Sequence, residues 1–478
     1  MASTAASSEK KSNGASSPGA GSKRVLPTDV GKEVDRKLDQ HLTYEFGGPW
    51  GVTAMMTGFP LLMYYLWICL QFYDGQLVYP TSLDDVQPFL FRMWTHVRQH
   101  ATPTPWALAV YSTFFFYQLL LAYIIPGYEQ EGLPVPSLNY KTLMYNCNAL
   151  GCFYTTIITV GWLHFSGTFP LGQIIDHFGE IMSVAMIYGF AVTFITYFVT
   201  VLRGKQIRMS GNFAYDLFMG ASLNPRLGPI DLKMWAEVRI PWVILWLISL
   251  AGASKQYEQY GYVTPNMWFM VLATGLYLNA CCKGEECIPQ TWDMFHEKWG
   301  FMVIFWNFAG VPFTYCYSIL YMATHDPAKY RFSTAGYVAI YTTLLLAYYI
   351  FDTSMSQKSR FRMQMSGTFK FRWTFPQLPW GTINDPKYIQ TAHGNKLLVD
   401  GWWKYSRKPN YAADLVQSLS WALIIGNASV IPYFYPIFFI TVLVHRCGRD
   451  FERCAIKYGK DWEEYCKRVP WRFVPYVY

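Results

Sequence analysis

The residues best suited to chemistry lie near the C-terminus, in HRCGRDFERCAIKYGKDWEEYC from His445 to Cys466. Arg446, Asp450, Cys454 and Tyr458 recur at every fourth position, so a helix sets them on one slowly drifting stripe. Arg449, Arg453 and Lys457 fall on the adjoining stripe. Cations, a carboxylate and a phenol on neighbouring helix faces, directly after an apolar run, suit an anionic cofactor and an acid. The plainer use of the same residues is a juxtamembrane basic helix that touches lipid headgroups and pairs Asp450 with its own arginines.

Two other stretches carry related chemistry. In SQKSRFR, Lys358 and Arg362 stand four apart, a spacing that lets two cations grip a phosphate from one helix face, with Arg360 turned elsewhere. Ordinary positive-inside charge is the alternative. In KLLVDGWWKYSRKPNYAAD, from Lys396 to Asp414, Trp403 and Tyr411 offer stacking surfaces and Asn410 an amide for a base or a nicotinamide. Asn410 equally suits a helix cap, Asp414 a first-turn carboxylate, and Trp402 and Trp403 interfacial anchors. Basic and aromatic residues recur on both sides of one helical hairpin, and that recurrence is more specific than any single element.

The elements that position these groups follow from composition. Of the 478 residues, 52% are apolar, 19% aromatic and only 15% charged, too few polar groups to cover the hydrophobic surface in water. Several uncharged runs reach the roughly 20 residues that a bilayer crossing needs. The expected fold is all-α, a polytopic membrane protein of about ten transmembrane helices. Eight spans are expected at about 51–73, 105–125, 141–165, 174–202, 240–254, 265–282, 300–323 and 335–351. A hairpin within 411–445, divided at Gly426-Asn427 and Pro432, supplies the last two. Asp176, His177 and Glu180 stand near the start of the fourth span, where ionisable residues mark either function or a helix end reaching water. Residues 1–40, rich in Ser, Ala, Gly and Lys, read as a disordered tail rather than a signal peptide. Residues 41–478 then form one membrane domain, with the cofactor-binding part at about 353–478.

The net charge of +8 is concentrated: 353–410 holds ten Lys or Arg against Asp385 and Asp400. Such a stretch between membrane spans, without a nucleic-acid-binding module, suits a phosphorylated small molecule or anionic lipid and argues against nucleic acid. The basic loops 203–208, 353–410 and 446–478 fall on one side if both termini are cytosolic. None of the ten cysteines shows the paired spacing of a zinc site, and no metal is expected.

FAYDLFMGASLNPR and LVHRCGRDFERCAIKYG, with PYFYP, DWEEYC and the terminal VPWRFVPYVY, resemble the membrane sterol reductase family, which includes C-14, C-7 and C-24(28) reductases. The resemblance covers about 45–478. EFGGPWGVTAMM, FPLLMYYLW, HEKWGF, GVPFTYC, FPQLPWGT and DGWWKYSRKPNYAAD resemble the C-24(28) branch of fungal-type ergosterol synthesis. Many C-14 and C-7 members have His and Gly where this chain has Lys408 and Ala413. The resemblance implies residence in the endoplasmic reticulum membrane, a sterol substrate, contact with membrane lipid and other sterol-biosynthesis enzymes, and NADPH as cofactor. It implies cofactor contacts at Lys358, Arg362, Leu398, Trp403, Asn410, Tyr411, Asp450, Cys454, Ala455, Ile456, Lys457, Tyr458 and Tyr465, to which the spacing argument adds Arg446. No GxGxxG follows a strand, so the site is not of the Rossmann kind and side-chain cations replace the helix-terminus phosphate cradle.

Reduction of an unactivated alkene by a hydride donor needs a proton first. Asp450, and Tyr315 in VPFTYCYSILY, are the candidate acids. A phenol with a pKa near 10 is a poor acid for carbon alone, so a relay between the two is the expected form. The alternatives are the same chemistry at C-14 or C-7, a membrane methyltransferase with a similar hairpin, and a non-catalytic sterol-binding protein.

Overall fold

The computed structural model describes residues 27–40, 44–369 and 371–477. Fifteen helices organise them: α1 (Asp29–Gln40), α2 (Gly48–Phe72), α3 (Val86–His100), α4 (Pro105–Ile124), α5 (Ala149–Phe165), α6 (Phe178–Leu202), α7 (Phe213–Met219), α8 (Leu232–Arg239), α9 (Pro241–Tyr260), α10 (Pro265–Lys283), α11 (Phe301–Thr324), α12 (Thr334–Met365), α13 (Pro409–Leu423), α14 (Phe434–Tyr458) and α15 (Lys460–Arg468). Their starts are written in the sequence. Thr104, Thr264, Ser333 and Asp231 each accept a backbone N–H in the first turn of α4, α10, α12 and α8, with Pro105 and Pro265 just inside the first two.

Among the described residues, seven helical segments are long and apolar enough to cross a membrane: α2, α4, α6, Leu232–Tyr260, α11, α12 and Ile431–Tyr458. The other three expected spans fall on the shorter helices α5, α10 and α13. Within Leu232–Tyr260 and α11 the apolar windows are 78% and 83% buried, against 22–39% in the other five. These two helices therefore form the centre, and the others present much of their surface to lipid.

Several expectations are corrected. The third span does not begin at 141: Met144–Cys147 is a strand paired antiparallel with Tyr128–Glu131, and helix starts only at Ala149. The described residues are thus not all-α, since two further hairpins join Arg226–Leu227 to Ile230–Asp231 and Tyr388–Gln390 to Lys396–Leu398. α12 does not stop at 351. Neither Gly nor Pro occurs between Phe351 and Gly367, whose left-handed φ of 67° lies just past the helix end, so the helix carries Lys358 and Arg362 out of the apolar zone. Of the expected disordered tail, residues 1–26 lie outside the described residues, whereas Asp29–Gln40 is helical.

α11 is irregular. A π-helical turn, Trp306–Gly310, interrupts it, and the Phe308 carbonyl accepts the Tyr111 hydroxyl at 3.0 Å. Two further polar sites in the apolar zone are similarly matched. Asn266 donates to the Tyr330 and Ile424 carbonyls at 2.9 and 2.7 Å, and the buried Lys283 and Asp352 join α10 to α12 at 2.7 Å.

Arg239, at the end of α8, meets Glu285 at 2.7 Å with both side chains almost wholly buried, and Glu285 also accepts the Ala149 N–H that opens α5. Glu285→Ala strands a buried guanidinium and is expected to destabilise the fold by about 3–5 kcal/mol. The double variant Arg239→Met/Glu285→Met is expected to lose less, as read by thermal unfolding of the detergent-solubilised chain.

Candidate functional site

The tight turn DGWW places the first group of side chains. Asp400 caps it, and Gly401 has a φ of 59°, with a Cβ there colliding with Gln357. Gln357 on α12 accepts the Trp402 N–H at 2.9 Å and donates to the Trp380 carbonyl at 2.8 Å. The Trp402 indole donates to Thr353 and the Trp403 indole to the Ser354 carbonyl, both at 2.9 Å. Trp403 is thereby fixed under Lys358, whose ammonium lies 3.9 Å from the ring centroid. Leu398 is buried with Trp403 and Phe361.

The second group is held by the C-terminal segment. Backbone N–H groups of Arg407 and Lys408 donate to the Trp471 and Arg472 carbonyls, which directs Lys408 at α14. There its ammonium meets Asp450 at 2.5 Å and lies 5.4 Å from the Tyr411 ring centroid. Burial works against the Lys408 charge, but the Asp450 carboxylate, Tyr411 and Cys447 together outweigh it and hold the lysine pKa above its ordinary value. Cys454 lies one turn beyond Asp450.

The cations of α14 are almost all committed. Arg446 meets Asp293 at 2.6 Å, Arg449 meets Glu45 at 2.6 Å and Glu297 at 2.9 Å, and Lys457 meets Asp35 at 3.5 Å. Arg453 donates to His296 at 3.1 Å. Burial first, then Arg453 and Arg208, push the His296 pKa well below the ordinary value, which keeps the imidazole neutral and able to accept. Arg208 also reaches His296, so the basic stretches 203–208 and 446–478 meet at one end of the molecule. Arg362, from the third, joins the same end by donating to the Gln290 carbonyl at 2.7 Å.

Lys358 and Arg362 differ from these cations. Among the described residues neither forms an ion pair: Lys358 has the Trp403 face, and Arg362 has the Gln290 carbonyl. Two uncompensated cations one helical turn apart, beside an indole, can bind an anion with an aromatic portion. Asn410, at the start of α13, adds an open valence: its Nδ2 contacts the Met355 sulfur at 3.3 Å, while its buried Oδ1 has no partner among the described residues. Of the other expected contacts, Tyr458 accepts from Asn395 at 3.1 Å, and Tyr465 packs beneath the hairpin with Ile389 and Val469. Ala455 and Ile456 lie on the exposed side of α14.

Asp450 and Tyr315 are not brought together as a direct relay. Asp450 spends its charge on Lys408, not on the arginines of its own helix. Tyr315 is buried in the membrane core, stacked on Tyr435 with centroids 3.8 Å apart, its hydroxyl accepting from the Trp306 indole at 3.3 Å. Among the described residues no hydrogen bond joins the two.

Residues 40–478 match the model of the ergosterol biosynthesis ERG4/ERG24 family. The chain belongs to this family. It is 46% identical over 444 residues to a delta(24(24(1)))-sterol reductase of Gibberella zeae, covering 93% of this chain and 74% of that one. It is 45% identical over 438 residues to the delta(24(24(1)))-sterol reductase erg4A of Aspergillus fumigatus, covering 91% and 93%. A delta(14)-sterol reductase of Methylotuvimicrobium alcaliphilum is 37% identical over 439 residues, covering 91% and 96%. With the helices above, membership makes this a multi-pass membrane protein.

Sequence reasoning missed Gln357, which locks the DGWW turn, and the acidic loop 291–297 that faces α14. It also missed a cavity of about 350 Å³ beside the site, lined by Glu237, Trp242, Asp293, Asn307, Phe351 and Arg446 among others. The signals were present: AEVR directly before an apolar run, and an acid at each end of DMFHE. Gln357→Leu removes both bonds that hold the turn and is expected to cost about 1–3 kcal/mol. It should also open 380–408 to limited proteolysis, measured as faster cleavage of the folded chain.

Proposed function

We propose that this chain reduces the C-24(28) double bond of a sterol side chain with NADPH, the last step of ergosterol synthesis. Relatives at 46% and 45% identity that carry the name delta(24(24(1)))-sterol reductase support the reaction. The observation that carries the cofactor assignment is the pair of uncompensated cations, Lys358 and Arg362, beside the Trp403 ring. A dinucleotide phosphate fits such a pair. Trp403 and Tyr411 provide the stacking faces, and the open Asn410 carbonyl oxygen is an acceptor for the carboxamide of a nicotinamide. Asp450, fixed by Lys408, Cys454, Arg446 and the helix end Ala455, Ile456, Lys457 and Tyr458 form the far wall, with Leu398 and Tyr465 beneath it. The cofactor, when bound, supplies a hydride. The protein supplies the dry surroundings and the proton, and Tyr315 shapes the aromatic core in which the sterol side chain rests.

The same reading completes the topology. Helices α5, α10 and α13 add three crossings to the seven long segments, giving ten, with both termini cytosolic in the endoplasmic reticulum membrane. Residues 41–478 form the membrane domain and about 353–478 its cofactor-binding part. The sterol reaches the site from the bilayer, and other sterol-biosynthesis enzymes are its partners.

Anaerobic incubation of purified protein with NADPH and a 24(28)-methylene sterol should yield the side-chain-saturated product, gaining two hydrogens by mass. Recovery of that sterol unchanged, with reduction of a delta(14)-sterol instead, overturns the assignment. Lys358→Ala and Arg362→Ala should each weaken NADPH binding by about 1.5–3 kcal/mol, with a smaller loss for NADH where the 2′-phosphate is the group contacted. Fluorescence titration measures both. Glycosylation reporters should be modified in loop 74–104 and left unmodified in 353–410; the reverse pattern would put the cofactor site in the lumen.

A further inference from the structure

The cavity beside the cofactor site has four carboxyl groups in its wall: Glu237, Glu286, Asp293 and Asp352. Three of them are neutralised. Asp352 meets Lys283 at 2.7 Å, Asp293 meets Arg446 at 2.6 Å, and Glu286 meets Arg372 at 3.1 Å. Glu237 is different: among the described residues no hydrogen bond or ion pair reaches it, though it lies on the ordered helix α8. The cation one turn before it, Lys233, forms no ion pair with it and donates instead to the Asp293 and Glu297 carbonyls. The charged groups facing Glu237 are Asp231 and Lys233 on its own side, and Asp293 and Arg446 from the elements packed against it. Asp293 and Arg446 already satisfy each other.

The cavity also faces the apolar interior. Trp242 in its wall lies 4.3 Å, centroid to centroid, from Tyr277 and 6.4 Å from Tyr315, and Phe351 stacks on Tyr277 at 5.4 Å. Arg446 in the same wall belongs to the helix that carries Asp450. The space therefore lies between an aromatic zone suited to a sterol side chain and the cation-rich cofactor cluster. An acid for carbon needs a carboxyl that is accessible to substrate and is not held as an anion by a counter-ion, since an adjacent cation favours the charged form. Asp450 fails that condition through Lys408, and Asp293, Asp352 and Glu286 fail it through their own partners.

We propose that Glu237 is the proton donor of the reduction, delivering the proton of its carboxyl group to C28 of the exocyclic methylene. The inference rests on the reductase reading above. The O–H bond of the carboxyl group breaks, and the alkene π pair forms the new C28–H bond. The cation left at C24 is closed by the hydride of the reduced nicotinamide dinucleotide. The Glu237 carboxylate then recovers a proton from water through the polar rim of the cavity. One proton and one hydride are added, and the methylene becomes a methyl group.

The test uses the full-length chain in nanodiscs, with the parent, Glu237→Gln and Glu237→Asp. Glu237→Gln should lower turnover of the 24(28)-methylene sterol at saturating NADPH at least a hundredfold, leaving the thermal unfolding midpoint and NADPH titration unchanged. Glu237→Asp keeps a carboxyl group and should retain part of the activity. Infrared difference spectra on adding sterol without NADPH supply a readout independent of turnover. The parent should show a protonated-carboxyl band that moves on sterol binding, and Glu237→Gln should lack it. If the glutamine variant does not fold, the aspartate variant carries the test, with a shifted band and reduced turnover expected. Parent-like turnover in folded Glu237→Gln overturns the inference, as does absence of a sterol-sensitive carboxyl band in the parent. A parent chain that binds NADPH but leaves the methylene sterol unreduced counts against the reductase reading, not against the protonation state that the infrared arm records.

Discussion

A helix that carries cations along one edge as it leaves the bilayer needs counter-charges brought to it, and the fold around α14 is arranged to meet that need. The partners come from distant parts of the chain: Glu45 from the entry to α2, Asp293, His296 and Glu297 from one loop, Asp35 from α1. Each contact ties its segment to the C-terminal helix, and losing either member leaves a poorly solvated charge behind. The 291–297 loop gains most from this, since three of its side chains answer three successive turns of α14. With those charges neutralised, Lys358 and Arg362 on α12 stand beside Trp403 without an ion pair among the described residues, and the site is defined by them.

α13 joins the two chemical zones. Asn410 and Asp414 lie one turn apart on one face. The first stands among the cofactor-side groups, while the second accepts from the Tyr277 hydroxyl at 3.3 Å inside the aromatic core. Trp421, further along the same helix, lies 5.6 Å from Tyr435, the ring on which Tyr315 stacks. A short helix wedged between α12 and α14 thus couples a polar cluster to a nonpolar one without a flexible joint.

Much of this was legible in sequence because hydrophobic periodicity and caps are local. The spans, the break after α13 and the family signatures are all read within windows of about twenty residues. The Lys358–Arg362 pair was also local, and the helix that carries it only proved longer than its apolar part. The misses share a cause, which is long-range partnership. Met144–Cys147 reads as part of an apolar run until Tyr128–Glu131 pairs with it. The pairing of Asp450 is invisible until Lys408 arrives from 42 residues upstream. Glu237 reads as one charge among many in a polar stretch, and its distinction, a lack of partners among the described residues, is not a property of any window. Asp29–Gln40 similarly gains its buried anchors from far along the chain, where His393 and Lys457 meet Asp35 at 3.2 and 3.5 Å.

The wide turn at Trp306–Gly310 sets the phase of everything that follows it in α11. A π turn holds one residue more than its α equivalent, so the two halves of the helix are out of step by about 100°. The first half sends Phe305 toward Phe190 on α6, and the second sends Tyr315 to Tyr435 and the Ser318 hydroxyl to the Trp421 carbonyl. Deleting any single residue in that turn lets the ladder close as an ordinary α-helix and rotates Val311–Thr314, up to the turn at Tyr315–Cys316, against the first half. Length variation there is therefore not neutral spacing: one codon lost would change which neighbours this part of the helix faces while leaving its composition almost untouched.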